Sequence, residues 1–201
     1  MPSWSDLLEE VKAAGSTYDV VRRRHLRELA ECTGRNVIVY YSGWLQKGEL
    51  QRQGLTGFEV TDNDKNGFMA VIHKLDRAKG LDIILHTPGG ETAATESLVD
   101  YLRSMFGSDM RAIVPQLAMS AGTMIACACK SIVMGRHSSL GPIDPQIGPL
   151  AAHGVIEEFD RAAREIQQNP VMANIWGPIL AKYGPTLVGE SRSRSPGRSR
   201  W

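Results

Sequence analysis

At 201 residues, with 42% apolar residues and 20 glycines, the chain is long enough to bury one sizeable core and suits an α/β protein. Its 23 basic and 22 acidic residues nearly cancel, and Arg192, Arg194, Arg198 and Arg200 all fall at the very end. Without those four the body carries 19 basic against 22 acidic residues, a net charge of −3, so no case for nucleic-acid binding arises.

In chain order, residues 4–32 read as a charged helix, and its basic cluster Arg22, Arg23, Arg24 and His25 is a solvated face. The opening has no basic segment leading into an apolar stretch, so no secretory signal is visible. A strand follows at 36–41, ending at Gly43, and the polar, glycine-containing stretch 48–56 is a loop. Residues 63–79 form a helix with Phe68, Val71, Ile72 and Leu75 on one face, ended by Gly80. Strand 81–85, a helix after Gly90 carrying Ala94, Leu98, Val99, Leu102, Met105 and Phe106, and strand 110–114 continue the alternation. A small-residue helix after Ser120 and a strand at 131–134 complete it. Strands alternating with helices imply crossover units and a largely parallel sheet. Beyond Gly141 two further helices are expected, at 155–168 and 170–183. The Arg/Ser-rich ending cannot bury a core and is expected to be disordered.

Two glycine-marked turns stand out. His86-Thr87-Pro88-Gly89-Gly90 follows a strand and opens a helix, so it turns sharply and exposes N–H groups where a helix start favours negative charge. Ala118-Met119-Ser120-Ala121-Gly122 repeats the scheme, with Ser120 at the mouth. Ser120 can act as nucleophile, with the Ala121 N–H completing an oxyanion hole begun by Gly89 and Gly90. A serine at a helix start is more often an N-cap, and Thr-Pro-Gly-Gly alone is a common turn; the pair in one register is what carries weight.

These turns, with Gly135-Arg136-His137-Ser138-Ser139-Leu140-Gly141-Pro142-Ile143-Asp144-Pro145-Gln146, resemble the serine dehydrogenase proteinase family, a branch of the Clp protease/crotonase fold related to signal peptide peptidases. The resemblance covers residues 36–188. It implies a spiral of ββα units with a largely parallel sheet and a serine-type peptidase acting through an acyl-enzyme on Ser120. The expected division is an N-terminal helical segment at 1–35, a peptidase domain at 36–190 and the tail at 191–201. Members of the family continue with more ordered sequence at that end, so it is expected to be a truncated or altered reading frame.

Relatives of the fold use either a histidine with an aspartate or a desolvated lysine as the base. His137 lies 17 residues after Ser120 and Lys182 lies 62 after it, and neither spacing decides between them. His137 reads equally as a turn residue, and Lys182 as a helix-end lysine serving dipole or solvent. A base in a missing segment, a base from a neighbouring subunit and no base at all are the further alternatives. His86 adjoins the oxyanion turn and can touch substrate or bond across strand ends; Asp144 can orient a base or cap a turn. A peptide or protein substrate would pair as an added strand beside the glycines.

Cys32, Cys127 and Cys129 give no disulfide framework, and the last two point to different helix faces, a poor metal pair. No metal or cofactor is expected, and a reducing, cytoplasmic setting is the simpler reading. Residues 112–129 lack charge, yet Pro115, Gln116, Ser120, Gly122 and Thr123 interrupt them, so a strand and helix are expected there rather than a membrane anchor. Self-association to a homo-oligomer is expected through the apolar late helix carrying Val171, Met172, Ile175, Trp176, Ile179 and Leu180. The rival functions are a crotonase-like enzyme acting on acyl-coenzyme A and a catalytically inactive assembly subunit of the same fold.

Overall fold

A computed structural model describes residues 4–15, 18–144, 146–147 and 150–194. The branched apolar runs form strands β1 (Asn36–Tyr41), β2 (Leu81–His86), β3 (Met110–Val114) and, beyond the two-residue strand β4 (Leu117–Ala118), β5 (Ser131–Met134). β1, β2, β3 and β5 make one parallel sheet in the order β1-β2-β3-β5. The connections carry the helices: α3 (Gly48–Arg52) and α4 (Asp62–Ile72) between β1 and β2, α5 (Thr92–Phe106) between β2 and β3, and α6 (Ala121–Cys127) between β4 and β5. The protein is therefore α/β with a parallel four-stranded sheet.

One face of the sheet is the core. Ile38, Leu81, Ile83, Leu85, Met110, Ala112 and Val114 point into it and meet Phe68 and Ile72 of α4, Leu98, Leu102 and Phe106 of α5, and Ile125 of α6. The opposite face is only half covered: Val39, Ile84 and Ile113 are half-buried and Tyr41 and Val133 exposed. At the amino end of that face Asp82, fully buried, takes a 2.6 Å hydrogen bond from Arg35 Nε and a second guanidinium from Arg111.

A second, shorter layer sits beyond the carboxyl ends of the strands. β4 pairs in parallel with β6 (Ser139–Leu140), while Thr87, just past β2, bridges Ala118. Thr87, Ala118 and Leu140 thus lie side by side, and β3, β4 and α6 form a ββα unit. β7 (Gln146–Ile147) and β8 (Leu150–Ala151) form an antiparallel pair that leads into α7 (Ala152–Gln168), α8 (Ala173–Leu180) and α9 (Leu187–Arg194).

Several expectations are corrected. The amino-terminal helix is two helices, α1 (Trp4–Ala13) and α2 (Tyr18–Thr33), because Gly15 takes a left-handed φ of 55° that ends the first. The 48–56 loop contains α3. The 63–79 helix stops at Ile72 and resumes as a 3-10 turn at Arg77–Lys79, where the Asp76 carboxylate accepts the Ala78 N–H at 3.1 Å; Val71 is 53% exposed rather than core. The 170–183 helix is a 3-10 turn at Pro170–Met172 followed by α8. The expected disorder from 191 onward does not begin there: residues 191–194 complete α9, with Ser191 buried and Arg192 bonded to Asp160 at 3.2 Å. Residues 195–201 of that tail lie outside the described residues.

Candidate active site

The two glycine turns meet because β2 does not stop at His86. Thr87 N–H donates to the Leu117 carbonyl at 3.2 Å and its carbonyl accepts the Met119 N–H at 3.0 Å, which lays Pro88 and Gly89 against Met119 and Ser120. Gly89 has a φ of 110°, and a Cβ there would lie 2.8 Å from Ser120 Cβ and 3.1 Å from the Met119 carbonyl. Glycine is thus required twice over, by conformation and by space.

Gly90 is held from the other side. Val60 N–H donates to the Gly89 carbonyl at 2.8 Å and the Val60 carbonyl accepts the Glu91 N–H at 2.9 Å. In such a parallel pairing the N–H of Gly90 itself points away from Val60. A Cβ on Gly90 would overlap the Val60 backbone.

Ser120 has a φ of 46° and ψ of −105°, the one positive φ outside glycine among the described residues. It occupies the N-cap position of α6, yet its side chain makes no cap hydrogen bond. The bland expectation for a serine at a helix start therefore fails at this residue, whose half-buried hydroxyl is not committed to the helix. A bulky or polar L-residue in so sparsely populated a conformation costs about 1–3 kcal/mol and persists only where the surroundings enforce it. Ala121, the first residue of α6, carries one of the N–H groups that a helix start leaves without an intrahelical carbonyl.

The surroundings that enforce it are residues whose structural role the sequence reading left unassigned. Thr123 Oγ1 lies 2.9 Å from the Ala118 carbonyl and 2.7 Å from that of Gly141, so one hydroxyl ties α6 to the carboxyl ends of both β4 and β6. A Cβ on Gly122 would lie 2.6 Å from Thr87 Cγ2, and one on Gly141 would lie 2.5 Å from Met119 Cε. Gly141 N–H donates to the Ala118 carbonyl at 3.1 Å. The third motif is thus the buttress of the Ser120 turn. Thr87, Gly122 and Gly141 lie within the three motifs and Thr123 directly follows the second, so their composition was visible; Val60 belongs to no motif and had no signal.

The remaining candidates are dispersed. His137 is exposed in the turn after β5 and lines a cavity of about 350 Å³ together with His86, Tyr41 and Gln116. Lys182 is exposed in the turn after α8, on the helical unit formed by α7, α8 and α9, where its neighbour Tyr183 packs on Phe159 at 6.0 Å between ring centroids. Asp144 accepts the His153 N–H of the first turn of α7 at 3.3 Å, a turn-capping contact. His86 is 3% exposed and stacks on Tyr41 at 5.0 Å and Trp44 at 6.2 Å. Burial pushes its imidazole below the usual histidine range. The Leu117 carbonyl, already accepting the Thr87 N–H, partly opposes that shift, but no ring N–H is aligned on it.

Among the described residues no group of three or more His, Cys, Asp or Glu side chains could hold a metal ion, and no helix is long and apolar enough to cross a membrane. Cys32, Cys127 and Cys129 are free, and burial pushes the Cys129 thiol up to about 11.

Two uncharacterized proteins of Methanocaldococcus jannaschii are similar to this chain. MJ0137 is 32% identical over 165 residues, covering 78% of this chain and 54% of its own length. MJ1495 is 28% identical over 157 residues, covering 77% of this chain and 52% of its own length. The chain thus spans about half the length of the curated relatives it matches. A family model for ClpP-like SDH-type serine proteinases matches residues 11–178, a span that includes all three motifs and leaves Lys182 outside. With a match running through both turns and their buttress, the chain belongs to the ClpP-like SDH-type serine proteinase family.

Proposed function

We propose that this chain is a serine peptidase in which Ser120 is the nucleophile and the N–H groups of Gly90 and Ala121 receive the oxyanion. The observation that carries the reading is Ser120 itself: a non-glycine residue at positive φ, pressed on Gly89, whose hydroxyl caps nothing. A substrate peptide lies extended beside Gly89 and Gly90, its scissile carbonyl carbon facing Ser120 Oγ. As Oγ attacks, a base takes its proton, and the carbonyl oxygen gains negative charge where the two N–H donors converge. The amine leaves with that proton, and water then hydrolyses the ester on Ser120 and restores the hydroxyl. Both His137 and Lys182 remain candidates for the base. Self-association belongs to the same proposal, since a neighbouring subunit is one source of a base.

The test is reaction with a fluorophosphonate probe, followed by mass mapping of the modified residue. Labelling at Ser120 that disappears in Ser120→Ala is expected. Labelling elsewhere, or peptidase activity at wild-type level in a folded Ser120→Ala protein, rejects Ser120 as nucleophile. Separate His137→Ala and Lys182→Ala proteins then identify the base by which one loses labelling. If both label at the wild-type rate, neither is the base.

A further inference from the structure

The cavity on the half-covered face of the sheet opens beside the serine turn and carries one of the candidate bases, His137, on its lining. His86 on its wall immediately precedes Thr87, which bridges Ala118, and Gln116 leads directly into β4. Its floor is apolar, from Val39 and Ile84, and its volume of about 350 Å³ is at the small end for a ligand site.

Its polar groups are unsatisfied in one direction. His86 is 3% exposed and neither ring nitrogen has a well-formed hydrogen bond among the described residues. Behind His86 and outside the cavity lining, the indole N–H of Trp44, whose ring stacks on His86, is likewise buried without an acceptor. Burying such groups unpaired costs about 1–3 kcal/mol each, so a pocket that keeps them is suited to a ligand that supplies the missing partner. Gln116 adds an amide N–H2 and an amide oxygen and His137 a second imidazole at the same cavity, and among the described residues no carboxylate lines it. Hydrogen-bond donors thus stand over an apolar floor, and among the described residues nothing acidic lines the cavity to receive a cationic side chain.

We infer that this cavity binds a carboxylate on a short apolar stem, with His86 and Gln116 as its hydrogen-bond donors and Val39 and Ile84 under its methylenes. The stem and carboxylate of a glutamate side chain in a bound peptide have this chemistry, and so does a free dicarboxylic acid. The peptide form rests on the peptidase reading above, for which it makes His86 a specificity residue.

Calorimetric titration of the folded Ser120→Ala protein, which binds without turnover, tests the pocket separately from the chemistry. The ligands are acetylated alanine pentapeptides with one Glu or one Gln at each position in turn, and glutarate. At one position Glu is expected to bind at least tenfold more tightly than Gln. His86→Phe, which keeps the stacked ring and removes both nitrogens, is expected to abolish that preference. Gln116→Ala, at the less buried wall, is expected to reduce it and carries the test if His86→Phe does not fold. Glutarate binding that is lost in the same variants, without any peptide preference, identifies the free acid as the source. Equal affinities for Glu and Gln throughout with no glutarate binding overturn the inference, as does a preference that survives in both variants. A protein that shows the Glu preference but no fluorophosphonate labelling retains the pocket and loses the peptidase reading.

Discussion

Ser120 and Gly89 make opposite demands on the backbone, and substitution separates them. Because Ser120 holds a φ of 46° without any cap bond, Ser120→Gly relieves strain and removes no hydrogen bond of the helix. A gain of about 1 kcal/mol is expected once the extra freedom glycine gives the unfolded chain is set against that relief. Gly89→Ala adds a methyl 2.8 Å from Ser120 Cβ at a φ of 110° and is expected to cost about 2 kcal/mol. Urea midpoints measure both, and a fall in stability for Ser120→Gly contradicts the account of strain. His86 supplies a pH dependence with a definite sign. Its imidazole is held below the usual range, so the unfolded chain takes up a proton at higher pH than the folded one. The stability tied to the neutral ring is complete above the unfolded value near 6.5 and is lost as pH falls through the lower folded value. Lowering the pH from 7 to 5 should reduce the urea midpoint of the wild type more than that of His86→Phe; equal reductions contradict it. That the two glycine turns belong together was legible from their order in the sequence and from the family resemblance, and the structure sets Gly89 against Ser120. The strain at Ser120 was not, because the conformation is imposed by Gly89, Thr123 and Gly141, which reach it from three separate segments.

At the scale of elements, the sheet is pinned at its amino end by charge and at its carboxyl end by backbone pairing. Asp82 lies on β2 with no exposure, between Arg35 at the entrance to β1 and Arg111 on β3. Removing one partner from a buried ion pair is costly because the others lose their counter-charge, so Asp82→Ala is expected to destabilise the protein by about 3 kcal/mol. Asp109, 54% exposed and bonded to the same Arg35 at 2.8 Å, is predicted to matter far less when replaced by alanine. Thermal or urea unfolding of the two variants checks the contrast, and comparable losses would show that burial is not what sets the effect. Strands at 36–41, 110–114 and 131–134 agree with the sequence reading to the residue, because branched apolar runs between glycine and proline punctuation leave little choice. The short β4, β6, β7 and β8 were not legible, since two residues carry no periodicity; β4 and β6 pair beside the overrun of β2 at Thr87, and β7 and β8 pair with each other. Asp82 was read only as part of an apolar run, for a sequence does not reveal which arginines will enclose a buried carboxylate.

For the whole molecule, the late helical unit is packed on one side only. Trp176 is 5% exposed, its indole N–H donating to Glu165 at 2.8 Å and its ring lying under the Arg161 guanidinium, so it locks α8 to α7. Val171, Ile175 and Ile179 follow at intervals of four residues on the turn leading into α8 and on α8 itself, and they are 66%, 56% and 39% exposed. The packing of Trp176 thus covers one side of α8 and leaves this stripe open. A second copy of the chain, presenting the same stripe across a two-fold axis, would cover it without any change in either subunit. Sedimentation across a dilution series is expected to show a concentration-dependent dimer or larger species, and Ile175→Glu, which places a charge in the middle of the stripe, should shift it to monomer. Substitution at an exposed position leaves the fold intact, so the circular dichroism spectrum should not change. A chain ending at Arg194 should associate as the full chain does, because α9 and its contact from Arg192 to Asp160 are retained. A single monomer boundary at every concentration would remove the association, and an oligomer unaffected by Ile175→Glu would move it to another surface.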